Sequence, residues 1–376
     1  MRCRKWFVAG ALTFVAVVLV LLAIPRCSVE AGQVTRSGYK VLAPLTSGNL
    51  TIFPVVASSA HTTGVFLTLD EGLRSGEVVV SEAGSLQPLV RRPIPAPRQD
   101  SAQVNTLMLV NNSKRPLLLL AGEIVTGGKQ DRVIGKDRIV PPESEPIDLG
   151  VFCVEPGRWV SKSENFGGFG NLAQPSVRAN AMGKKDQQEV WNSVHDSKAK
   201  VAQNVPAAAE SMEVTSSYAD AMGGPQVKRE MDKIMAPLER DYRNVIRDLR
   251  EKNAVGVVVA VNGEILWADI FASNDLLDRY WSKLVRSYAA EALSQGHDRG
   301  KVSESEAQAF VDQMQGRHET AETEPGVYRH AEITGDDYKV FELTSLLPKT
   351  DFEVHIAKMA EEPKVGRMVR PAPPVR

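Results

Sequence analysis

Charged and amide side chains concentrate in one segment of the chain, which runs from Glu123 to Arg138. Its first part, GEIVTGGKQ, has the glycine content of a phosphate-binding loop. A Walker A loop needs a Lys directly after its second motif glycine, and a helix after that. Here Gly128 stands in the position of the Lys, and the residues that follow are typical of an extended strand. The segment is therefore not predicted to be a P-loop.

Two interpretations of this segment remain. In the first, it is a solvated hairpin whose opposite charges pair for at most about 1 kcal/mol each, and the composition favours this interpretation. In the second, it is an anion or nucleotide site, where backbone N–H groups of Gly127 and Gly128 approach the ligand and Arg132 supplies a forked donor. Lys136 and Arg138 continue the same charged turn. The second interpretation makes the segment a candidate binding site.

Another dense segment is VFCVEPGRW, residues 151–159. Strand alternation puts Cys153 and Glu155 on one face. Cys153 could be a nucleophile, but no His is near it in sequence, so a buried and inert thiol is favoured. Glu155 and Arg158 flank a Pro-Gly turn and could pair there, with Trp159 as a core anchor. Both segments together could line one pocket.

The candidate site combines these two segments. Its predicted ligand-binding residues are Glu123, Lys129, Gln130, Arg132, Glu155, Arg158 and Trp159. In a catalytic version, Glu123 or Glu155 is the general base, and Arg132 or Arg158 stabilises negative charge. No metal is predicted, because the 6 His are scattered without an HxxxH, HExxH or CxxC pattern. No cofactor is predicted either, and the sequence contains no G-x-S-x-G nucleophile turn.

The composition excludes other function classes. The 376 residues include 45 Lys and Arg against 46 Asp and Glu, which gives a formal net charge of −1. Without a basic excess there is little counterion release to gain, so nucleic acid is not expected as a partner. A hydrophobic fraction of 43% excludes a disordered chain. These values predict an ordinary folded protein.

The start of the chain indicates export. Basic residues up to Lys5 precede an apolar run, residues 6–24, which would reach about 28 Å as a helix, close to the ~30 Å hydrocarbon thickness of a bilayer. We therefore predict that residues 1–31 are a membrane anchor or, if the chain is cleaved after Ala31, a signal peptide. The basic flank stays cytoplasmic. The main domain is then extracytoplasmic (periplasmic or extracellular) if residues 6–24 hold it at the membrane, and secreted if they are removed.

The elements that must position the candidate residues predict an α+β fold, preceded by one N-terminal hydrophobic helix. Short apolar runs about ten residues apart predict a β-sandwich-like half over residues 35–160. Residues 161–360 are predicted to be a helix-rich half, with loosely packed helices and mobile loops over residues 161–224 and a type I′ hairpin at Asn262-Gly263. Pro237 is placed in the first turn of an amphipathic helix, and Phe166–Gly170 is predicted to be a plain linker. Residues 361–376 are predicted to be disordered.

Several segments resemble one known family. They are FLTLDEGLRSGEVVVSEAGS, LAGEIVTGGKQDRVIGKDRIVPPES, VFCVEPGRW and VGVVVAVNGEILWADIFASNDLLDRYWSKLVRSYAAEAL. From residue 38 to 356 the chain is similar to the ARPP-type domain family, named for its association with ADP-ribosylglycohydrolases and rhodanese/phosphatase-superfamily proteins. The resemblance implies a signature at Gly127–Arg132 and Cys153–Trp159 and a genomic link to ADP-ribose chemistry, without a defined activity. The export segment departs from the family pattern, which weakens a link to cytoplasmic NAD metabolism.

Three functions fit these observations. The leading hypothesis is a non-catalytic binding or interaction module with a polar site for an anionic or nucleotide-like ligand, because charged and amide groups cluster without a nucleophile–base pair. The alternative is a hydrolase or transferase that acts on an ADP-ribose-like or nucleotide substrate. A third hypothesis is a purely structural domain that works through an unidentified protein partner, with the signature holding a sheet together by buried ion pairs.

Overall fold

A computed structural model describes residues 38–82, 106–158, 160–251, 253–296 and 300–361. The predicted N-terminal helix lies outside these ranges, and so does the predicted disordered tail beyond residue 361. Within the described ranges, no helix is both long enough and apolar enough to cross a membrane.

The described chain is of the mixed α and β class, as the sequence predicts. Its strands are β1 (Tyr39–Val41), β2 (Leu45–Ser47), β3 (Leu50–Ala57), β4 (Leu67–Thr68), β5 (Val78–Glu82), β6 (Thr106–Asn111), β7 (Leu117–Leu119), β8 (Glu123–Thr126), β9 (Arg132–Ile134), β10 (Arg138–Val140), β11 (Ile147–Cys153), β12 (Gly167–Leu172), β13 (Ala254–Val261), β14 (Glu264–Phe271), β15 (His318–Glu324), β16 (Tyr328–Thr334), β17 (Tyr338–Ser345) and β18 (Glu353–Ala360). Its α-helices are α1 (Leu69–Ser75), α2 (Pro175–Ala179), α3 (Gln187–Asn204), α4 (Ala209–Val214), α5 (Tyr218–Gly223), α6 (Pro225–Glu251), α7 (Asn274–Ser294) and α8 (Glu304–Asp312).

Three sheets are seen in the described ranges. The largest is antiparallel and has the order β1-β3-β13-β14-β18-β17-β16-β15, with β2 beside β3. A six-stranded sheet has the order β12-β8-β9-β11-β6-β5, and a three-stranded sheet has the order β10-β7-β4. The two smaller sheets share a buried apolar cluster that includes Leu117, Leu119 and Ile134. Both segments of the candidate site lie in or beside these smaller sheets.

The change of sequence character at residue 160 does not coincide with the sheets. β1 to β3 belong to the largest sheet, where β3 pairs with β13 from the C-terminal half. The half predicted to be helix-rich also contains β13 to β18. β15, HETAETE, is exposed almost throughout, so it gives no apolar alternation that would reveal a strand.

Strong local signals are confirmed. β13 and β14 form the predicted hairpin, with φ of 55° at Asn262 and 84° at Gly263, the left-handed values of a type I′ turn. The sequence Thr68-Leu69-Asp70-Glu71 predicts a capping box, and Thr68 starts α1 in one. The sequence also predicts a helix capped by Ser273 or Asn274, and Ser273 caps α7 with its side chain. Side chains with a specific hydrogen-bonding role at a helix start can therefore be identified from the sequence.

The prediction for Pro237 is wrong. Its helix, α6, begins at Pro225, so Pro237 lies in the helix interior instead of the first turn. Val227, Met231 and Met235 continue the buried face towards the N-terminus. The sequence pattern underestimates this face because Met fills irregular core space without a regular apolar stripe.

The region after residue 160 is also better packed than predicted. Phe166–Gly170 is not a plain linker, because most of it lies in β12, which pairs with β8, and Phe166 is buried. Helix α3 is not loosely packed either, since Val190, Val194 and Val201 are in the main apolar core. Glycine-rich and Ala-rich composition hides this packing, because small residues allow close backbone contact without an apolar signature.

Helix α7 lies at the centre of this packing. Its Tyr280, Leu284 and Tyr288 belong to the main core, which also includes residues of the largest sheet. It also brings two buried charged residues, Lys283 and Glu291, into the interior. Buried charges need partners, and the partners of Lys283 define one of the polar clusters described next.

Candidate functional site

The two signature segments meet at neighbouring strands. Cys153 of β11 lies opposite Arg132 of β9 in the antiparallel register. The Asp131 N–H donates to Glu155 Oε2 at 3.0 Å, and Gln130 Nε2 donates to the Glu155 carbonyl at 3.2 Å. The structure thus brings Gln130, Arg132 and Glu155 of the two segments together.

Arg158 ties the glycine turn to the second segment. Its guanidinium donates to the Gly128 carbonyl at 2.8 Å and to the Gly127 carbonyl at 3.2 Å. The same group forms ion pairs with Glu155 at 2.6 Å and with Asp131 at 3.4 Å. We call Gly127, Gly128, Asp131, Glu155 and Arg158 the signature cluster. Most donors of Arg158 are used within the protein.

The prediction that the glycine turn presents its N–H groups to a ligand is wrong. Gly127 N donates to Asp131 Oδ1 at 3.1 Å, and Gly128 N to Ser163 Oγ at 3.4 Å. A Cβ at Gly128 would lie 2.3 Å from the Phe166 ring, so the close approach that requires glycine is to the protein itself. The turn is shaped for packing.

Arg132 is not the surface fork predicted for an anion. Its side chain is 1% exposed, and Nη1 donates to the neighbouring Asp131 carbonyl at 3.4 Å. Burial lowers the pKa of Arg132, while nearby Cys153 and Glu82 oppose that shift. Cys153 is fully buried, and burial raises its thiol pKa, which agrees with the inert thiol favoured by the sequence.

Glu123 belongs to a different cluster. Its carboxylate pairs with Lys283 of α7 at 2.5 Å, and Lys283 also pairs with Asp70 of α1 at 2.9 Å. Among the described residues, no hydrogen bond or ion pair joins Glu123 to the signature cluster. The predicted residues therefore do not form one site around a shared ligand.

Neither predicted general base is well placed for catalysis. Glu123 is 1% exposed and Glu155 is 3% exposed. Burial raises the pKa of Glu123 despite Lys283. Burial also acts to raise the pKa of Glu155, but hydrogen bonds from Arg158 and the Asp131 N–H outweigh it, and the net pKa is lowered. A buried carboxylate with a lowered pKa is a weak base.

The solvent side of the signature cluster has few free cations. Lys129 is partly exposed, and Lys162 is 45% exposed but pairs with Asp220 at 3.2 Å and lies 3.6 Å from Glu155. Gln130 is buried. Trp159 lies outside the described residues, so its predicted role as a core anchor stays a prediction.

This arrangement gives a stability prediction for Arg158→Ala. The change removes two bonds to glycine carbonyls and leaves the buried Glu155 without its main cation, so the free energy of unfolding should fall by about 2 kcal/mol. Urea denaturation monitored by circular dichroism measures it. Lys162→Ala, at an exposed pair, is the control and should change stability by less than about 1 kcal/mol. Equal effects of both changes would contradict the inferred role of Arg158.

A cleft of about 300 Å³ opens beside the second half of the charged turn and is lined by Thr106, Lys136, Arg138, Asp148, Leu149 and Gly150. Lys136 Nζ lies 2.7 Å from Glu322, and Arg138 Nη2 lies 3.2 Å from Glu324. These two glutamates belong to the edge strand β15 and are 66% and 39% exposed. The cleft therefore has two cations that only solvent-exposed carboxylates neutralise within the described residues.

Sequence reasoning missed a group of ionic side chains at the centre of the fold. Arg178 of α2 holds Asp269 of β14 through two bonds of 2.9 Å. His355 of β18 lies 2.6 Å from Asp137 and 3.3 Å from Asp269, and the Tyr288 hydroxyl donates to Asp269 at 2.5 Å. We call Asp137, Arg178, Asp269, Tyr288 and His355 the central ion network. Its ionic members are 0% exposed, so the network is an element of the core.

One signal in the sequence could have revealed this network. Asp269 stands alone among apolar residues in its strand, ADIF, and His355 stands in EVHIA. A charged side chain in a buried strand requires a partner of opposite charge. The partners are far apart in sequence, however, so the pairing itself cannot be read from a single chain.

Comparison with known proteins agrees with the resemblance seen in the sequence. A family model described as ARG and Rhodanese-Phosphatase-superfamily-associated Protein domain (ARPP-1) matches residues 38–357. No curated protein and no solved structure matches this chain.

Proposed function

We propose that this chain, which belongs to the family of the ARG and Rhodanese-Phosphatase-superfamily-associated Protein domain, is a non-catalytic binding domain for a small anionic or nucleotide-like ligand. The buried positions of Glu123 and Glu155 support the non-catalytic part of the proposal, because neither carboxylate can reach a bound substrate. The binding part requires cations that a ligand can approach.

The observation that carries the proposal is the cleft between Lys136 and Arg138. Arg138 Nη1 donates to the Asp148 carbonyl at 2.7 Å, while its Nε is buried with no hydrogen-bond partner among the described residues. The hydrogen bond from Lys136 lowers the pKa of Glu322, so this carboxylate is ionised and forms an exposed ion pair. Exposed pairs are weak, with a median of about 0–1 kcal/mol. An incoming phosphate or carboxylate can therefore replace the β15 glutamates.

The ligand contacts are therefore assigned to Lys136 and Arg138, and not to the ligand-binding residues predicted from the sequence. In the signature cluster, the Arg158 Nη groups bond to the glycine carbonyls and pair with Glu155 and Asp131. We assign this cluster the task of holding the β8–β9 hairpin, whose second strand leads into Lys136 and Arg138. The hairpin strands β8 and β9 pair directly, and β10 follows β9 after Gly135 and Asp137. Signature and binding cleft are then parts of one structural unit.

Isothermal titration with ADP-ribose, NAD and inorganic phosphate tests the proposal. At least one of these anions should bind. Arg138→Gln should lower the affinity for that anion about tenfold or more, because hydrogen bonds to charged groups contribute about 1.5–3 kcal/mol. Affinity should also fall as salt is raised. Lys184→Gln, which removes an exposed pair elsewhere, is the matched control and should leave binding unchanged.

A change in the opposite direction makes the test sharper. Glu322→Gln removes the carboxylate that competes for Lys136, so anion affinity should increase. A purely electrostatic surface effect would act similarly at any glutamate, so Glu189→Gln serves as comparison. If no anion binds, or if Arg138→Gln and Lys184→Gln act alike, the proposal is wrong.

We further propose, from the sequence alone, that the domain works outside the cytoplasm. Support comes from the basic start followed by the apolar run at residues 6–24, which fits an anchor or an export signal. An extracytoplasmic domain would meet free anionic metabolites at the cell boundary. This location fits a binding module better than it fits an enzyme of cytoplasmic NAD metabolism.

A further inference from the structure

A second cleft, of about 190 Å³, lies where β1 begins. β1 and β15, the strand beside the anion cleft, are at opposite ends of the strand order of the largest sheet. The lining residues of the second cleft are Gly38, Tyr39, Ala57, Ser58, Ser59, His61, Phe271, Ala272 and Glu353. The imidazole of His61 stacks on Phe352 with ring centroids 4.2 Å apart, and His61 N donates to the Ala272 carbonyl at 2.9 Å. The wall that faces Glu353 is therefore fixed by packing and by a backbone hydrogen bond.

Glu353 is the one carboxylate among the described lining residues. Its oxygen accepts a hydrogen bond from the Tyr39 hydroxyl at 3.5 Å. None of the ion pairs between described residues includes Glu353, although other enclosed carboxylates such as Glu155 and Asp269 each have a cation. Glu353 is partly buried, and a carboxylate that is partly removed from water is stabilised by a cation. A cation bound in the cleft could therefore pair with Glu353.

The surroundings of Glu353 increase its demand for a cation. Thr344 of β17 is its partner in the register, so Glu342, two residues earlier, is on the same face of the sheet. Burial, followed by the charge of Glu342, raises the pKa of Glu353 to about 7, although the Tyr39 hydrogen bond and nearby His355 act to lower it. The titratable groups near Glu353 are thus Tyr39 from β1, Glu342 from β17, His355 on its own strand, and His61 across the cleft.

The lining selects one kind of cation. The described residues offer no group of three His, Cys, Asp or Glu side chains that could hold a metal ion. One carboxylate with a neighbouring phenol and the hydroxyls of Ser58 and Ser59 gives the few oxygen acceptors that an ammonium group needs. Ala57 and the ring of Tyr39, both partly buried, give an apolar surface for an alkyl stem. The volume equals about six water molecules at ~30 Å³ each, which is enough for a short aliphatic chain.

We propose that this cleft binds a small primary amine, whose ammonium group pairs with Glu353 and hydrogen-bonds near Tyr39, and whose alkyl chain lies against Ala57. The site is separate from the anion cleft at Lys136 and Arg138 in its lining residues and in the sign of its ligand. One protein would then bind an anion and a cation at different places.

The test is titration of the full chain with butylamine and 1,4-diaminobutane at pH 8, with 1-butanol as the neutral analogue and Nα-acetyl-lysine amide as a lysine side chain. The amines should bind at least tenfold more tightly than 1-butanol. Because Glu353 must be ionised, affinity should be about tenfold higher at pH 8 than at pH 6. Binding at pH 7 should release protons, which appears as a dependence of the titration heat on the buffer.

Two substitutions separate the carboxylate from its surroundings. Glu353→Gln keeps the shape of the side chain and should weaken the affinity for butylamine at least tenfold. Glu342→Gln should preserve butylamine binding and shift the pH profile of that binding towards lower pH. Preferential binding of Nα-acetyl-lysine amide would assign the ammonium group to a polypeptide and overturn the small-amine proposal. Equal affinity for butylamine and 1-butanol, or absence of binding to the unmodified protein at pH 8, would also overturn it; both are measured without any variant.

Discussion

Arg178→Ala should lower the free energy of unfolding by about 3–5 kcal/mol, the range measured when one partner of a buried ion pair is removed. Arg178 is fully buried, forms two bonds of 2.9 Å with Asp269, and lies over the Trp267 ring with its guanidinium carbon 4.4 Å from the centroid. Truncation leaves the Asp269 charge enclosed with less compensation and opens a cavity beside Gly122, whose backbone packs against the Arg178 stem. Guanidinium chloride denaturation of the two proteins measures the difference.

The comparison variant for this prediction is Arg329→Ala. Arg329 pairs with Glu319 at 2.5 Å, but the side chains are 41% and 53% exposed, so its loss should cost at most about 1 kcal/mol. Arg178→Lys adds a second comparison, because it keeps the charge and loses the two-pronged geometry. We expect the free energy of unfolding of Arg178→Lys to lie between that of Arg178→Ala and that of the unmodified protein. An Arg178→Ala protein as stable as Arg329→Ala would refute a structural role for the central ion network.

The sequence allows much of the local structure to be predicted. The Asn262-Gly263 turn and the caps at Thr68 and Ser273 depend on neighbouring residues only, and all three are confirmed. The two dense segments are also expected to lie together, and the structure joins Asp131 to Glu155. Local sequence patterns do not predict which charged side chains become buried, and burial changes the role of such a side chain. Arg132 has the chemistry of an anion fork, but its exposure of 1% removes it from the solvent.

The central ion network shows why the remainder could not be predicted. Asp137 follows β9 and Arg178 lies in α2, whereas Asp269 and His355 come from strands of the largest sheet. The pairing of β14 with β18, where Phe271 lies opposite His355, brings Asp269 and His355 close together. Such pairing depends on long-range sheet order, which single-chain periodicity does not encode. The Glu353 cleft has the same origin, since Tyr39 and Glu353 are 314 positions apart.

The contribution of His355 to stability should depend strongly on pH. Burial acts to lower the pKa of His355, but the charge and hydrogen bond of Asp137, together with Asp269, raise it to about 9, above the ordinary 6.5. The folded protein therefore binds this proton more tightly than the unfolded chain does. Its stabilisation is fully present below pH 6.5 and is lost as the pH rises to about 9, and the shift corresponds to about 3 kcal/mol.

Two other buried groups titrate in the same range, so the prediction concerns a difference between proteins. Burial lowers the pKa of Lys358 to about 7, so stability gained from this residue increases between pH 7 and its ordinary 10.5. Burial raises the pKa of Glu353 to about 7, so its contribution decreases between pH 4.5 and 7. The Lys358 contribution cancels when the unfolding free energy of His355→Asn is subtracted from that of the unmodified protein at each pH. The Glu353 contribution cancels only in part, because His355 acts to lower the pKa of Glu353. We expect this difference to be largest near pH 6 and to shrink by about 3 kcal/mol by pH 9.5. A difference that is constant with pH would mean that His355 is neutral in the folded protein and that its neighbours Asp137 and Asp269 are balanced by Arg178 alone.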